Sequence, residues 1–265
     1  MNITVIGAGN MGGAIAGGLA EFTKHDITVS DPDLNKTNAL KDKFPSVRIA
    51  DNNCEAVKHA DLIVLAVKPY LVSDVIDEIK SDVDCSRQII VSIAAGITLS
   101  QLDGMFTVAT GFSPELYRVI PDTAIMVRAG MSFISSHNAS EKGEEKVRSL
   151  FDVLGETAVI PENLMAAATS LSSCGIAYAF KYIQACVQAG VEMGFRPDDS
   201  LKYSVATVAG AMRMLAESGN QPQTEIDRVT TPGGLTIKGV NSLDHSGFPS
   251  AVIKAILSTF PVSRQ

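Results

Sequence analysis

Short apolar runs alternate with helix-like segments along the first part of the chain. Continuous apolar runs fit strands that are covered on both faces, which predicts an α/β fold with a mainly parallel, doubly wound sheet. The predicted strands are Ile3–Ile6, Ile27–Ser30, Val47–Ala50, Leu62–Val67 and Gln88–Ile93, with one or two more within Phe106–Val127 and Met131–Ser135. The predicted helices between the first strands are Asp33–Lys43, Cys54–His59 and Val72–Ile79.

The pattern changes after Pro161, and from Asn163 onward it is typical of helices with few strand signals. This change divides the chain into two predicted domains, 1–161 and 162–265. One predicted helix is apolar almost all round, with large residues at helical spacing: Ile176, Phe180, Ile183, Val187 and Val191. A helix of this kind has to be buried, and a second subunit is a natural cover, so we expect at least a homodimer. The next predicted helix is Pro197–Ser218.

The segment Gly7-Ala8-Gly9-Asn10-Met11-Gly12 lies between the first strand and a helical pattern. In a dinucleotide site Gly7 would allow the tight turn, Gly9 the close approach of the pyrophosphate, and Gly12 the packing of helix on strand. The pyrophosphate would then lie on the helix N-terminus, next to Asn10 and Met11. The alternative is a purely structural turn. The second strand, which ends in an acidic residue, favours the dinucleotide site instead, and we expect a Rossmann-type domain that spans residues 1–161.

Asp31 ends the second strand, nineteen residues after Gly12, where an acidic residue would accept hydrogen bonds from the adenosine ribose. A 2′-phosphate about 4 Å away would be repelled by roughly 1 to 4 kcal/mol per charge pair. The predicted cofactor is NADH or NADPH, and Asp31 favours NADH. Lys36 is the nearest cation after the strand, and the alternative is that Asp31-Pro32-Asp33 is only a solvated turn.

Composition excludes several other classes of function. The chain has 22 Lys and Arg against 29 Asp and Glu, a formal net charge of −7, and its basic residues are scattered, which argues against a nucleic-acid surface. No apolar stretch runs for about 18 residues, so we expect a cytoplasmic protein without a membrane span. The four cysteines form no CxxC pair, and no histidines cluster with them, so we expect no metal site and no disulfide framework.

Two further segments lie where ligands of open α/β sheets bind, beyond the carboxyl ends of strands. Ala66-Val67-Lys68-Pro69 follows the fourth strand, and its lysine could contact a cofactor or be an ordinary surface residue. After the next strand, Ala95 and Gly96 are small enough to admit the nicotinamide, although small residues also allow close packing. We group Asn53 with these residues as a candidate cofactor contact.

The most distinctive segment is Thr231-Pro232-Gly233-Gly234-Leu235-Thr236, which precedes a helical pattern. A Pro-Gly-Gly turn at a helix N-terminus offers backbone N–H groups and a hydroxyl, which together would bind a carboxylate. The alternative is that Thr236 merely caps its helix.

With these motifs the chain resembles the pyrroline-5-carboxylate reductase family, over essentially all of its 265 residues. The motifs that carry the resemblance are GAGNMG from Gly7, AVKP from Ala66, SIAAGITLSQL from Ser92, RVIPDTA from Arg118, LSSCGIAYAF from Leu171 and TPGGLTIKG from Thr231. The last is the family's signature.

The resemblance implies reduction of L-1-pyrroline-5-carboxylate to L-proline with NADPH or NADH, the last step of proline synthesis. It implies that Thr236 hydrogen-bonds the ring nitrogen and is the catalytic residue, while the turn of Gly233, Gly234, Leu235 and Thr236 binds the substrate carboxylate. It also implies a helical domain that dimerises, often as a pentamer of dimers, with the active site between domains and subunits.

Three positions depart from the family pattern. Asp122 stands where Asn is common, Ile176 where Pro is common, and Gly219 lies near a position where many members carry a Glu directed at the ring nitrogen. Asp31 replaces a more usual Ser or Thr, which supports the preference for NADH. Two alternatives remain open: a β-hydroxyacid-type dehydrogenase with Lys181 as acid or base, and a nucleotide-sensing protein without catalytic activity.

Overall fold

The computed structural model describes residues 1–260, and of residues 108–110 only the backbone. The chain forms two compact units that divide between Ser173 and Cys174. A domain boundary after Pro161 stays a prediction, and residues 261–265 of the predicted second domain lie outside the described residues.

The first unit contains a sheet of eight strands in the order β3-β2-β1-β4-β5-β6-β7-β8. Its strands are β1 Asn2–Ile6, β2 Asp26–Ser30, β3 Arg48–Ile49, β4 Leu62–Leu65, β5 Ile89–Ser92, β6 Glu115–Pro121, β7 Gly130–His137 and β8 Gly155–Val159. All neighbouring strands are parallel except β6 and β7, which are antiparallel. The predicted doubly wound, mainly parallel sheet is therefore confirmed.

Helices follow most of the strands and cover both faces of the sheet. Those of the first unit are α1 Asn10–Phe22, α2 Leu34–Lys43, α3 Asn53–Val57, α4 Val72–Ile79, α5 Leu99–Thr110, α6 Glu141–Asp152 and α7 Met165–Ala168. Those of the second unit are α8 Gly175–Glu192, α9 Pro197–Ser218, α10 Pro222–Val229, α11 Leu235–His245 and α12 Phe248–Thr259. The predicted bounds of α4 and α9 agree with the structure at both ends.

Several predicted bounds differ from the structure by one or two residues, and one strand was not predicted. The fourth strand ends at Leu65 rather than Val67, because the chain turns there toward a short 3₁₀ helix that begins at Pro69. The strands predicted within Phe106–Val127 and Met131–Ser135 are confirmed as β6 and β7, and Phe106 itself lies in α5. Strand β8 was not predicted, because it is a half-exposed edge strand with polar residues and lacks the continuous apolar run of the buried strands.

Apolar layers on the two faces of the sheet form the core of the first unit. Because successive strand residues point to opposite faces, Val64 packs in the layer with Ile15 of α1, and its neighbour Ile63 in the layer with Ile76 of α4. These residues are at most 1 % exposed. The first unit thus has a core of its own.

The second unit has almost no core. Within residues 174–260 only Gly190 and Ser200 are buried, where α8 and α9 pack closely enough for Ser200 Oγ to donate to Val187 O at 2.9 Å. Many of its large apolar side chains are exposed: Phe180, Met193, Leu201, Tyr203, Met212, Met214, Ile253 and Leu257. A unit of this kind lacks the burial that stabilises a fold, so another surface is needed to cover these helices.

Membrane spans, metal clusters and disulfides are not features of this fold over residues 1–260. None of these helices is both long and apolar enough to cross a membrane. Over the same residues no three His, Cys, Asp or Glu side chains are grouped so that they could hold a metal ion. The four cysteines form no disulfide bond.

We predict that Phe180→Asp weakens self-association. Phe180 on α8 is 66 % exposed in the single chain, and we expect a second subunit to cover this helix, so that a charge at this position would have to be buried on association. Light scattering at micromolar concentration should find an oligomer for the wild type and smaller species for the variant. Because association stabilises the fold, the wild-type melting temperature should also rise with protein concentration.

Leu34→Asp is the matched control, since Leu34 on α2 of the first unit is 67 % exposed. It should leave the oligomer intact. A well-folded wild-type monomer at micromolar concentration would contradict the prediction.

Candidate functional site

The glycine turn between β1 and α1 brings backbone segments closer than any side chain would allow. Gly7 has φ +104°, and a Cβ there would lie 2.7 Å from Ala66 O. A Cβ on Gly12 would lie 1.9 Å from Gly7 O and 2.9 Å from the Ala66 Cβ. A Cβ on Gly9 would meet nothing within 4 Å, so this part of the turn faces open space. Gly7 and Gly12 are thus needed for packing, and Gly9 leaves room for a ligand.

The N-terminus of α1 carries no internal cap. Gly9 is its N-cap residue, no side chain hydrogen-bonds the first turn, and that turn contains no acidic residue. Asn10 is exposed and Met11 half-buried at the start of the helix. The first N–H groups and the positive end of the helix dipole therefore favour an anion.

This helix end lies at the point where the strand order reverses. β1 pairs with β2 on one side and with β4 on the other, and Ala66 N donates to Ile6 O at 2.8 Å just beyond the two strand ends. Ligands of open α/β sheets bind at such switch points. The glycine turn and the start of the AVKP segment, which were predicted as separate candidates, are therefore in direct contact.

Asp31 is tied to the glycine turn. Its Oδ2 accepts from Ala8 N at 2.7 Å, and its Oδ1 accepts from Asp33 N at 2.8 Å. The side chain is only 9 % exposed. Each carboxylate oxygen has two lone pairs and uses one of them in these hydrogen bonds. The other lone pair of each oxygen can therefore accept a hydrogen bond from a ribose hydroxyl. The interpretation of Asp31-Pro32-Asp33 as merely a solvated turn is wrong, because the Asp31 side chain is held inward.

Two further charged residues, Asp33 and Lys36, lie beside Asp31 at the end of β2. Backbone N–H donation from Asn35 and the neighbouring ammonium of Lys36 lower the pKa of the Asp33 carboxyl. Lys36 Nζ lies 3.4 Å from Asp33 Oδ2 and 3.9 Å from Asp31 Oδ1. This one ammonium is thus shared by two carboxylates, and the local charge stays negative.

The remaining cofactor candidates lie around the same edge of the sheet. Lys68 is exposed, and Val67 and Pro69 are half-buried beside it. Ala95 and Gly96 are exposed after β5, and Gly96 has φ +82°. All five follow the carboxyl end of β4 or β5, which is the side of the sheet on which the glycine turn lies.

Asn53 at the start of α3 is held by hydrogen bonds at both ends of its amide. Its Oδ1 accepts from Ser30 Oγ at 2.7 Å, and its Nδ2 donates to Glu78 Oε2 at 2.8 Å. The side chain therefore fixes the end of β2 against α4. A contact between Asn53 and a cofactor stays a prediction.

The Pro-Gly-Gly turn of the second unit has the features of a type II turn. Gly234 N donates to Thr231 O at 2.9 Å, and Gly233 between them has φ +71°. Gly234 is the N-cap of α11, and no side chain caps this helix. Since the Gly234 N–H is engaged within the turn, the N–H groups that begin the helix at Leu235 and Thr236 are the ones available to an anion.

Thr236 is the second residue of α11 and is exposed. The interpretation that it merely caps the helix is wrong, because the N-cap position belongs to Gly234. Within residues 1–260 its hydroxyl makes no hydrogen bond. The hydroxyl therefore lies next to unpaired helix N–H groups, an arrangement that can bind a carboxylate together with a neighbouring polar atom.

Sequence reasoning missed an ion pair between a buried arginine and a half-buried glutamate near the ends of β5 and β6. Arg118, 8 % exposed, lies beside Ser92 in the sheet and donates from Nη1 to Glu162 Oε1 at 3.1 Å. The same carboxylate oxygen accepts from Leu99 N at 2.7 Å, at the start of α5. A charged residue inside an otherwise apolar strand was the available signal, but its partner comes from a distant part of the chain.

Two family models match the chain. The model described as pyrroline-5-carboxylate reductase dimerisation matches residues 162–265, and the model described as NADP oxidoreductase, coenzyme F420-dependent, matches residues 2–96. The first covers the unit with almost no core, and the second covers the glycine turn and Asp31.

Relatives match over nearly the whole chain. The pyrroline-5-carboxylate reductase of Escherichia coli is 36% identical over 259 residues, 96% of this chain and 94% of its own length. A solved pyrroline-5-carboxylate reductase from Coxiella burnetii has a TM-score of 0.89 at 27% identity, with 98% of this chain and 96% of that one covered. The NADP-bound pyrroline carboxylate reductase of Plasmodium falciparum has a TM-score of 0.84 at 27% identity, covering 98% and 95%.

We predict that Gly12→Ala abolishes dinucleotide binding and lowers stability. The new Cβ would lie 1.9 Å from the Gly7 backbone oxygen, so helix and strand must separate, which costs about 1 to 3 kcal/mol or more. NADH binding by fluorescence and the melting temperature by circular dichroism measure the two effects.

Gly13→Ala is the control, because its Cβ would lie 3.6 Å from Ala8 O, an ordinary contact. In the interior of a helix this change should add about 0.4 to 1 kcal/mol of stability and leave NADH binding intact. Equal binding by the two variants would show that the close approach at Gly12 is not needed.

Proposed function

The chain belongs to the pyrroline-5-carboxylate reductase family, and we infer from this that it transfers a hydride from NAD(P)H to the C=N bond of L-1-pyrroline-5-carboxylate, giving L-proline. The observation that carries the inference is the match to reductases of this activity over nearly the full length of both chains. Neither a β-hydroxyacid dehydrogenase nor a nucleotide sensor is favoured by these relatives.

The first unit fits the dinucleotide. A bare helix N-terminus, a turn that only glycines can form and a carboxylate with spare lone pairs at the end of β2 match the pyrophosphate and the ribose. When bound, the reduced nicotinamide supplies two electrons and one hydrogen as hydride. In this proposal the turn at Gly9 and the small residues Ala95 and Gly96 position the cofactor so that its ring can approach the substrate.

The substrate needs little chemical activation. A cyclic imine accepts hydride at carbon once its nitrogen is protonated, and the product is then a secondary amine. The hydride forms the new C–H bond, and the proton stays on nitrogen. We propose that Thr236 Oγ1 hydrogen-bonds this nitrogen. The N–H groups of Leu235 and Thr236 would bind the carboxylate at the positive end of α11.

The finer points of cofactor and assembly are also proposals. Asp31 supports a preference for NADH, since its carboxylate would repel a 2′-phosphate and Lys36 is already shared with Asp33.

The exposed apolar helices of the second unit support a homodimer as the smallest stable species, and a pentamer of dimers as the complete assembly. We propose that the enzyme works in the cytoplasm, together with its NAD(P)H supply.

We predict reduction of L-1-pyrroline-5-carboxylate with NADH at a kcat/KM at least about tenfold above that with NADPH, equivalent to about 1.4 kcal/mol. Asp31→Asn should narrow this difference by removing the charge while keeping one acceptor oxygen for Ala8 N–H. Asp31→Ser should also narrow it but lose stability, because it gives up the acceptors that hold the turn. Oxidation of both cofactors, followed by absorbance, measures the preference.

Asp33→Asn is the comparison variant, and because it leaves Lys36 paired with Asp31 alone, it should narrow the preference less than Asp31→Asn does. It removes an equal charge from an exposed side chain that caps α2, and Asn caps a helix equally well. A wild-type preference for NADPH would show that Lys36 outweighs Asp31. Activity on hydroxyacids without activity on the imine would overturn the proposed function itself.

We predict that Thr236→Val lowers kcat by about ten- to a hundredfold, the scale of one lost transition-state hydrogen bond of about 1.5 to 3 kcal/mol. The melting temperature and NADH affinity should stay near wild type, because this hydroxyl caps no helix. Steady-state kinetics and thermal melts on the same preparation measure both.

Thr230→Val is the matched control, since the Thr230 hydroxyl donates only to Asp227 O at the end of α10, at 3.2 Å. It should keep kcat near wild type. Unchanged turnover in Thr236→Val would remove this residue from the proposed mechanism.

A further inference from the structure

The connection between the two units is a helical turn of unusual width. After α7 the residues Thr169–Ser173 form a π-helical turn, and α8 begins at Gly175, just past the division between the units. π-Helical turns are rare and occur often at functional sites. This one lies where the chain leaves the dinucleotide-binding unit.

Local side-chain hydrogen bonds explain why the helix widens here. Thr169 Oγ1 donates to Met165 O at 2.8 Å, and Ser170 Oγ donates to Ala166 O at 3.1 Å. Hydroxyls that donate to the carbonyl four residues earlier weaken and bend a helix. The run of hydroxyl residues thus favours departure from α-helical geometry, but it does not by itself fix the direction of the chain that follows.

Ser172 differs from these two residues because its partner lies outside the helix. Its Oγ donates to Asp122 Oδ2 at 3.0 Å. Asp122 is 5 % exposed and follows β6 directly. Its carboxylate also accepts from Ala124 N at 2.9 Å and from Met131 N at 3.2 Å. The acceptor is therefore held by the backbone on both sides of the turn between β6 and β7.

The side chain of Ser173 makes the π turn less stable. Its Oγ is buried and has no hydrogen-bond partner within residues 1–260. A buried hydroxyl without a partner destabilises the conformation that buries it, so a compensating interaction must hold the turn in this shape. The hydrogen bond from Ser172 to the anchored Asp122 is the polar interaction that joins the π turn to the sheet.

We propose that the Ser172–Asp122 hydrogen bond is a latch that fixes the π turn against the carboxyl end of β6, at the edge of the sheet where the cofactor candidates lie, and that catalysis depends on this fixed turn. Ser172 and Asp122 are positioning residues in this proposal and touch neither substrate nor cofactor. The inference rests on the proposed function, because the effect of the latch on turnover is measured in the reduction of the imine.

The test compares two alanine variants two residues apart. Ser172→Ala breaks the latch, and Ser170→Ala removes a hydroxyl that bonds only within its own helix. Because a misplacement of about 1 Å can cost on the order of a hundredfold in rate, we expect kcat of Ser172→Ala to fall by about ten- to a hundredfold. NADH affinity should stay unchanged, and amide hydrogen exchange over residues 165–178 should become faster. Ser172→Thr keeps a hydroxyl, so its kcat and its hydrogen exchange should both be close to those of the wild type.

Ser170→Ala should match the wild type in kcat and in hydrogen exchange. Equal behaviour of the two alanine variants, or wild-type kcat and exchange in Ser172→Ala, would overturn the latch. If the wild type fails to reduce the imine, the proposed function fails, yet the exchange comparison still tests the latch: faster exchange in Ser172→Ala alone supports it, and equal exchange rejects it.

Discussion

The close approach of α1 to the ends of β1 and β4 is the constraint on which the rest of the first unit depends. Gly12 sits against the backbone of Gly7, and Gly7 sits against Ala66, with no room for a Cβ at either glycine. This contact sets the direction of α1 and aims its uncapped N-terminus at the switch point of the sheet. The anion site is therefore a product of backbone packing, and few side chains are needed to build it.

Features governed by local pattern were predictable from the sequence. The buried strands, the bounds of α9 and the glycine turn all follow from hydrophobic runs and residue types close together in the chain. Features governed by contacts between distant parts of the chain were not predictable from the sequence. Ser172 lies 50 residues from its partner Asp122, and Glu162 lies 44 residues from its partner Arg118, so no local pattern predicts either contact. Thr236 shows an intermediate case, because its segment was recognised but only the backbone showed that Gly234 is the cap.

The two units differ in how much apolar surface they bury, and the stability of the proposed substrate turn depends on this difference. The first unit buries its own apolar layers on both faces of the sheet. The second buries only Gly190 and Ser200 within residues 174–260 and exposes its large side chains. Its helices therefore depend on another surface to cover their apolar side chains, and in the proposed enzyme the stability of the substrate turn depends on assembly.

The hydrogen bond from Ala8 N to Asp31 joins two properties that are usually treated as separate. The carboxylate that would discriminate between cofactors also supports the turn that would bind their pyrophosphate. During divergence, exchange of Asp31 for a small neutral residue would relax the discrimination and weaken the turn in one step. A lineage that changes its cofactor is therefore expected to acquire two substitutions, one that removes the charge and one that supplies Ala8 with another acceptor.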